Sequence, residues 1–210
     1  MSDEGAFAPE IPKVEPIMMM LKNAIGDSRA QIMIDCAASE FYKDGKYMIE
    51  KKELLRQELL DFYHDLAVRF PILSIEDPFA EEDWEGFRQL KSQLPISNFK
   101  ILIGDDLTTT NIKKIKEAHS KKACNGVIIK PNQIGTVSET IEAVNLAKSY
   151  SWKIMVSHRS GETMDNFIAD FAVGVGADFI KSGAYTKDVR IVKYDTLLEI
   201  ENEVSKLRRT

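Results

Sequence analysis

The sequence predicts an α/β domain built on a parallel sheet, and three features of the chain carry that reading. Short apolar, β-branched runs alternate with longer stretches of helical period from one end to the other. About six such strand–helix pairs can be counted. Nearly every apolar run also closes on a charged or polar residue, and in a barrel of such units the C-terminal strand ends converge on one open face. That face would receive Asp35, Glu76, Asp105, Lys130, His158 and Lys181.

Taken in order, the glycine- and alanine-containing opening through Pro9 suits a loop. Val14, Ile17, Met18, Leu21 and Ile25 then fall on one helical face, with Met18-Met19-Met20 read as core filler. Gln31-Ile32-Met33-Ile34-Asp35 is a strand ending in an acid, and Phe41 to Ile49, centred on Asp44-Gly45, reads as a small hairpin. Glu53 to Phe70 is a helix with Leu55, Leu59, Phe62, Leu66 and Phe70 on one stripe, stopped by Pro71. The strand Ile72–Glu76 follows, then a helix around Glu82–Leu94 and the strand Lys100–Asp105. Thr110-Asn111 caps a helix carrying Ile112, Ile115 and Ala118. Gly126-Val127-Ile128-Ile129 runs into Lys130, and Pro131 forbids the strand from continuing. Thr136-Val137-Ser138-Glu139 is a capping box opening the next helix. Lys153–Ser157 is a strand ending at His158, Thr163–Val175 a helix, and Asp178–Lys181 a short strand. A long amphipathic helix with Ile191, Tyr194, Leu197, Ile200, Val204 and Leu207 completes the chain, its last turn complemented by Lys206, Arg208 and Arg209.

Composition narrows the function classes. With 210 residues, 44% of them hydrophobic, the chain can bury a sizeable core in one domain spanning residues 1–210. The net charge of −5 and the scattered basic residues argue against nucleic acid as a partner. Apolar runs are too short to span a membrane. The N-terminal residues have no signal-peptide character, and two cysteines make no disulfide framework, so a cytoplasmic, reducing location is expected.

The strand-end residues suggest a chemistry. Any one of them alone reads as a helix cap or a surface charge. Three carboxylates in one closed space, however, raise one another's pKa unless a cation joins them. An all-oxygen set suits a hard divalent ion, and Mg²⁺ is the usual choice where a phosphate shares the site. Two lysines beside such an ion are expected to depress each other's pKa, which favours a neutral lysine acting on a weakly acidic C–H. Ser157-His158-Arg159-Ser160-Gly161 offers a guanidinium, a hydroxyl and successive backbone N–H groups, a plausible phosphate cradle. His64 and His119 lie in polar helix surroundings and receive no role.

These residues sit in stretches that resemble enolase, the phosphopyruvate hydratase family. They are Asp3–Pro9, Asp35-Cys36-Ala37-Ala38-Ser39-Glu40-Phe41, Ser74-Ile75-Glu76-Asp77-Pro78-Phe79, Gly104-Asp105-Asp106-Leu107-Thr108, Lys130-Pro131-Asn132-Gln133-Ile134-Gly135, Ser157–Thr163 and Lys181-Ser182-Gly183-Ala184. They run in family order from the first residues almost to the last. Ala6, Met164 and Tyr185 depart from the glycine, acid and proline usual in the family.

The resemblance implies an enolase-type TIM (β/α) barrel, partial, with about six of eight strands. It implies a Mg²⁺-dependent lyase that reversibly dehydrates 2-phosphoglycerate to phosphoenolpyruvate in glycolysis and gluconeogenesis. Carried over motif by motif, Asp35, Glu76 and Asp105 hold the metal, Lys130 removes the proton alpha to the carboxylate, and Lys181 is its electrostatic partner. Glu4 falls on the general acid, His158 on a substrate contact, and Arg159 and Ser160, with Ser157 beside them, on the phosphate grip. In the family an N-terminal domain and the first barrel strands precede the Asp-Glu-Gly motif. The expectation is therefore the catalytic half of a split enolase completed by a separately encoded N-terminal half or by a second copy of itself. A fragment of an ordinary enolase, or a catalytically inactive binding or structural protein of the same fold, is the alternative.

Overall fold

A computed structural model describes residues 1–2, 4–94 and 99–207. Six strands form a parallel sheet: β1 (Ile32–Asp35), β5 (Ile72–Glu76), β6 (Ile101–Gly104), β7 (Gly126–Ile129), β8 (Lys153–Ser157) and β9 (Phe179–Lys181), laid side by side in that order. Each neighbour is also the next sheet strand along the chain, the arrangement that successive βα units produce when they turn the same way. One register shift, between Ile32 and Met33, interrupts the β1–β5 pairing.

Helices cover the outer face. They are α1 (Val14–Ile25), α2 (Arg56–Arg69), α3 (Trp84–Ser92), α4 (Ile112–Ser120), the single turn α5 (Pro131–Ile134), α6 (Val137–Ser149), α7 (Phe167–Gly174) and α8 (Asp188–Leu207). The main core lies between them and the sheet, where Leu59, Ile75, Phe79, Phe87, Leu90, Leu102 and Val127 are all fully buried. Asn111 accepts from Lys113 N–H and Lys114 N–H, and Thr136 from Glu139 N–H, so both predicted caps form.

Several boundaries differ from the sequence reading, each for a local reason. The hairpin is a three-stranded meander, β2 (Tyr42–Lys43), β3 (Lys46–Ile49) and β4 (Lys52–Leu54). Asp44 and Gly45 both take positive φ, 51° and 82°, as the two-residue turn requires. Pairing of Met48 with Glu53 draws residues 52–54 into this sheet, so α2 starts at Arg56 and not at Glu53. Tyr47 anchors the meander by donating to Asp83 at 2.8 Å inside a cluster of edge-on rings with Phe41 and Phe79. The helix expected from Thr163 starts at Phe167, because the hydroxyl of Thr163 and the carboxylate of Asp165 accept from Asp165 N–H and Phe167 N–H and hold a turn there. Of the methionine triplet only Met18 is core; Met19 and Met20 are exposed.

The face of α8 is the largest departure. Its buried residues are Arg190, Lys193 and Thr196, while Leu198, Val204 and Leu207 stand exposed. The expected basic last turn reaches only Lys206 and Leu207, since Arg208 and Arg209 lie outside the described residues. No helix among the described residues is long and apolar enough to cross a membrane.

Candidate active site

Side-chain parity builds the site. Met33, Ile101, Ile103, Ile128, Met155 and Phe179 cluster on the inner face of the sheet, while Ile34, Ile75, Leu102, Ile129, Val156 and Ile180 pack outward with the main core. Because strand side chains alternate with period two, the residue two positions beyond an inner one is also inner. Met33 thus leads to Asp35, Ile103 to Asp105, Ile128 to Lys130, Met155 to Ser157 and Phe179 to Lys181. Glu76 pairs across to both Asp35 and Ile103 and shares their side.

On that face acids and lysines interleave. Lys181 Nζ lies 2.6 Å from Asp35 Oδ2 and 3.0 Å from Glu76 Oε1, and Lys130 Nζ lies 2.5 Å from Asp105 Oδ2. Burial pushes the Glu76 carboxyl up to about 8, with Lys181 opposing and Asp35 and Asp105 adding to the rise. Burial pulls the Lys181 ammonium down, but Glu76 and Asp35 outweigh it and hold Lys181 above its usual value. The expected mutual depression of the two lysines concerns a metal-bound site; in the metal-free chain the carboxylate neighbours favour the charged form of Lys181.

The donor set fits a hard cation. Among the described residues Asp105 Oδ1 is buried without a hydrogen-bond partner, as is Ser74 Oγ in the adjoining strand, and an orphaned buried carboxylate oxygen calls for a positive partner. Asp77, Asp105 and Asp106 also bring one ligand atom each within 4.8 Å of one another. Asp77, however, accepts Asp105 N–H on Oδ1 at 3.0 Å and Asp106 N–H on Oδ2 at 2.7 Å. Its two oxygens brace the turn that carries Asp105. Lys130 is braced likewise: Thr110 Oγ1 accepts Lys130 N–H at 2.9 Å and donates to Gln133 Oε1 at 2.9 Å.

Glu4 reaches the site from the other end of the chain. Ala184 N–H donates to Glu4 O at 3.1 Å, and Thr186 Oγ1 donates to Gly5 O at 2.7 Å. The approach needs glycine: Gly5 has φ +78°, and a Cβ there would lie 2.2 Å from Thr186 Oγ1. Glu4 Oε2 comes 3.6 Å from His158 Nε2, and His158 N–H donates to Lys181 O at 2.9 Å. Burial pushes the His158 imidazole below its usual value; Glu4 opposes this, while Arg190 and Lys181 add to it.

Beyond His158 a cleft opens, lined by Asn132, Ser157, Arg159, Gly161 and Glu162 among others. Arg159 is exposed, and its Nη1 lies 3.3 Å from Asn132 Oδ1. Ser160 is exposed too. Ser157 is buried and gives its hydroxyl to His158 O at 3.0 Å, so it holds the turn and does not present a free donor to the cleft.

The structure thus gathers Asp35, Glu76, Asp105, Lys130 and Lys181 on one face, with Glu4 and His158 paired at its edge and Arg159 and Ser160 on the adjoining loop. The sequence reading missed Arg190, Lys193, Asp77 and Thr110, which support these groups. Their signal was faint: Arg190, Lys193 and Thr196 recur every three residues along α8, a polar stripe that reads as a solvent face until the helix is docked.

The family model "Enolase, C-terminal TIM barrel domain" matches residues 1–209. The protein named enolase in Saccharolobus islandicus (strain M.14.25 / Kamchatka #1) is 48% identical over 207 residues, covering 96% of this chain and 49% of that protein. Enolase of Sulfurisphaera tokodaii is 48% identical over 97% of this chain and 49% of its own length, and enolase of Elusimicrobium minutum 45% identical over 97% and 48%. The chain spans about half the length of the curated relatives it matches. By the extent of the family match and the identity to these relatives, this chain belongs to the enolase family and carries its C-terminal barrel domain.

Proposed function

We propose that this chain supplies the proton-transfer machinery for the reversible dehydration of 2-phosphoglycerate to phosphoenolpyruvate. The observation that carries the reading is the interleaved set on the inner face, with Lys130 against Asp105 and Lys181 between Asp35 and Glu76. In this reading Asp35, Glu76 and Asp105 would hold Mg²⁺, which when bound neutralises charge on the substrate carboxylate and acidifies the neighbouring C–H.

Lys130, only 15% exposed at its side chain, takes that proton on Nζ once it has given up its own. Lys181, which Glu76 and Asp35 hold above its usual value in the metal-free chain, provides positive charge beside the base. Glu4 gives a proton to the departing hydroxyl, which leaves as water, and His158 donates a hydrogen bond from the same edge. Arg159, which lines the cleft, and the exposed Ser160 beside it bind the phosphate. Handing one proton to a lysine and another from a glutamate keeps the step balanced and reversible.

We further propose that a second polypeptide segment completes the sheet. Among the described residues β1 and β9 each have one hydrogen-bonded neighbour in it. An apolar cleft beside β1 is lined by Val14, Leu21, Met33, Met48 and Phe62, a surface such a segment would cover. An N-terminal enolase half, or a second copy of the chain, is the occupant to test.

The test is phosphoenolpyruvate absorbance with 2-phosphoglycerate and Mg²⁺, on the chain alone and then with a supplied N-terminal half. Activity that appears on complementation and falls by roughly 10²–10⁴-fold in Lys130→Ala is the expected result. No activity under either condition would overturn the assignment.

A further inference from the structure

We propose that Arg190 is a positioning residue whose guanidinium locks His158 as the single tautomer that carries its proton on Nε2, facing Glu4. Arg190 sits on α8, is 1% exposed, and points into the loop that forms the cleft. Its Nη1 contacts His158 Nδ1 and also donates to Arg159 O at 3.0 Å, and its Nη2 donates to Ser160 O at 2.8 Å.

A guanidinium has five N–H donors and no acceptor, and it does not lose its charge in proteins. Any ring nitrogen it contacts must therefore offer a lone pair. Nδ1 of His158 is that nitrogen, so in the neutral ring the proton is left to Nε2. Nε2 is the nitrogen 3.6 Å from Glu4 Oε2. An imidazolium would set an N–H against an N–H inside a site where His158 itself is 3% exposed, and burial with Arg190 already favours the neutral ring. Arg190 thus makes His158 a one-way donor toward the substrate side.

The surroundings hold Arg190 in that role. Gly183, at φ +76°, leaves the space: a Cβ there would lie 3.1 Å from Arg190 Cδ and 3.1 Å from Glu4 O. One turn on, Lys193 is wholly buried and spends its ammonium on Thr163 O at 2.6 Å, Val189 O at 2.7 Å and Glu162 Oε2 at 2.8 Å. Glu162 Oε1 in turn accepts Arg159 N–H at 2.9 Å. The carbonyls of Arg159, Ser160 and Thr163 and the carboxylate of Glu162 are thereby fixed to α8, with the Arg159 side chain left to line the cleft.

The proposal borrows from the enolase reading only the use to which the Nε2–H is put; the tautomer is measured without turnover. With histidine nitrogens labelled, long-range proton–nitrogen correlation on the full chain near neutral pH reads both ring nitrogens, the His158 signals being assigned by their loss in His158→Gln. The expected wild-type result is one form, Nδ1 bare and Nε2 protonated. In Arg190→Gln, whose amide can either donate or accept, the second tautomer should appear, a change in the ratio of roughly tenfold or more, the scale of a hydrogen bond to a charged donor. A wild-type ring that is mixed, imidazolium or protonated on Nδ1 would overturn the proposal, as would a folded Arg190→Gln protein that keeps a pure Nε2–H form. Should Arg190→Gln fail to fold, the wild-type spectrum alone decides. Absence of enolase activity would overturn the proposed reaction and leave the tautomer result standing.

Discussion

At the scale of single residues, the site is a set of strand-end charges that pair with one another. Lys181 bridging Asp35 and Glu76 and Lys130 on Asp105 are the pairs that a divalent cation would reorganise. A ligand that binds only the folded chain stabilises it by about 2.7 kcal/mol at a hundredfold excess over Kd. Mg²⁺ should therefore raise the thermal midpoint by a saturable amount in calorimetry, and Asp105→Asn should abolish the rise; an undiminished rise in that variant would place the ion elsewhere. His158 supplies a pH prediction. Its pKa is lowered below the ordinary 6.5 of the unfolded chain, so protonation favours unfolding, and its contribution to stability is present above 6.5 and lost as pH falls below it. Denaturant midpoints compared between wild type and His158→Gln should converge as pH drops below that value, and parallel curves would contradict it. Asp35, Glu76, Asp105, Lys130 and Lys181 were legible in the sequence because each follows an apolar run at the position where parity turns it inward. Arg190 and Lys193 were not, since a buried charge on a helix looks in sequence like a solvated one, and only docking shows which backbone carbonyls it meets.

At the scale of elements, the chain's alternation of two periods predicted the six parallel strands and most of the helices, and the caps at Asn111 and Thr136 fixed two starts. The failures came where side chains compete with helix formation. Thr163 and Asp165 hold a turn ahead of α7, and cross-strand pairing takes residues 52–54 from α2. One junction between elements bears directly on the site. The loop at Gly5 interlocks with the β9–α8 connection through Thr186, and Glu4 is placed by that contact. Gly5→Ala adds a Cβ where 2.2 Å separates it from Thr186 Oγ1 and demands positive φ of alanine. The expected outcome is loss of complemented activity with little change in the thermal midpoint, since the residue lies outside the main core; an active variant would remove Glu4 from the proposed acid role. Phe79, fully buried and edge-on to Tyr47, Tyr63 and Phe87, is the contrasting case. Phe79→Ala should cost about 3–5 kcal/mol in denaturant unfolding, tying the meander to the sheet, and a cost under 1 kcal/mol would contradict that packing.

At the scale of the molecule, the strand order β1-β5-β6-β7-β8-β9 follows the chain, as a barrel's does, while the outer strands β1 and β9 each have a free side in this sheet among the described residues. The apolar cleft along β1 and the exposed Leu198, Val204 and Leu207 of α8 lie outside the core that the sheet and helices enclose. Sequence periodicity could not reveal them, because an amphipathic pattern shows that a face is apolar and not what covers it. The proposed completion predicts that size-exclusion mass measurement finds the chain associated with itself or, when supplied, with an N-terminal half. A well-folded, soluble monomer at low concentration that ignores the added half would contradict it. The proposed roles of Lys130 as base and Glu4 as acid of one reaction separate in the exchange of the 2-phosphoglycerate alpha proton with deuterated solvent, followed by NMR on the complemented protein. Exchange is expected in wild type, none in Lys130→Ala, and exchange without phosphoenolpyruvate formation in Glu4→Gln; exchange that persists in Lys130→Ala would rule Lys130 out as the base.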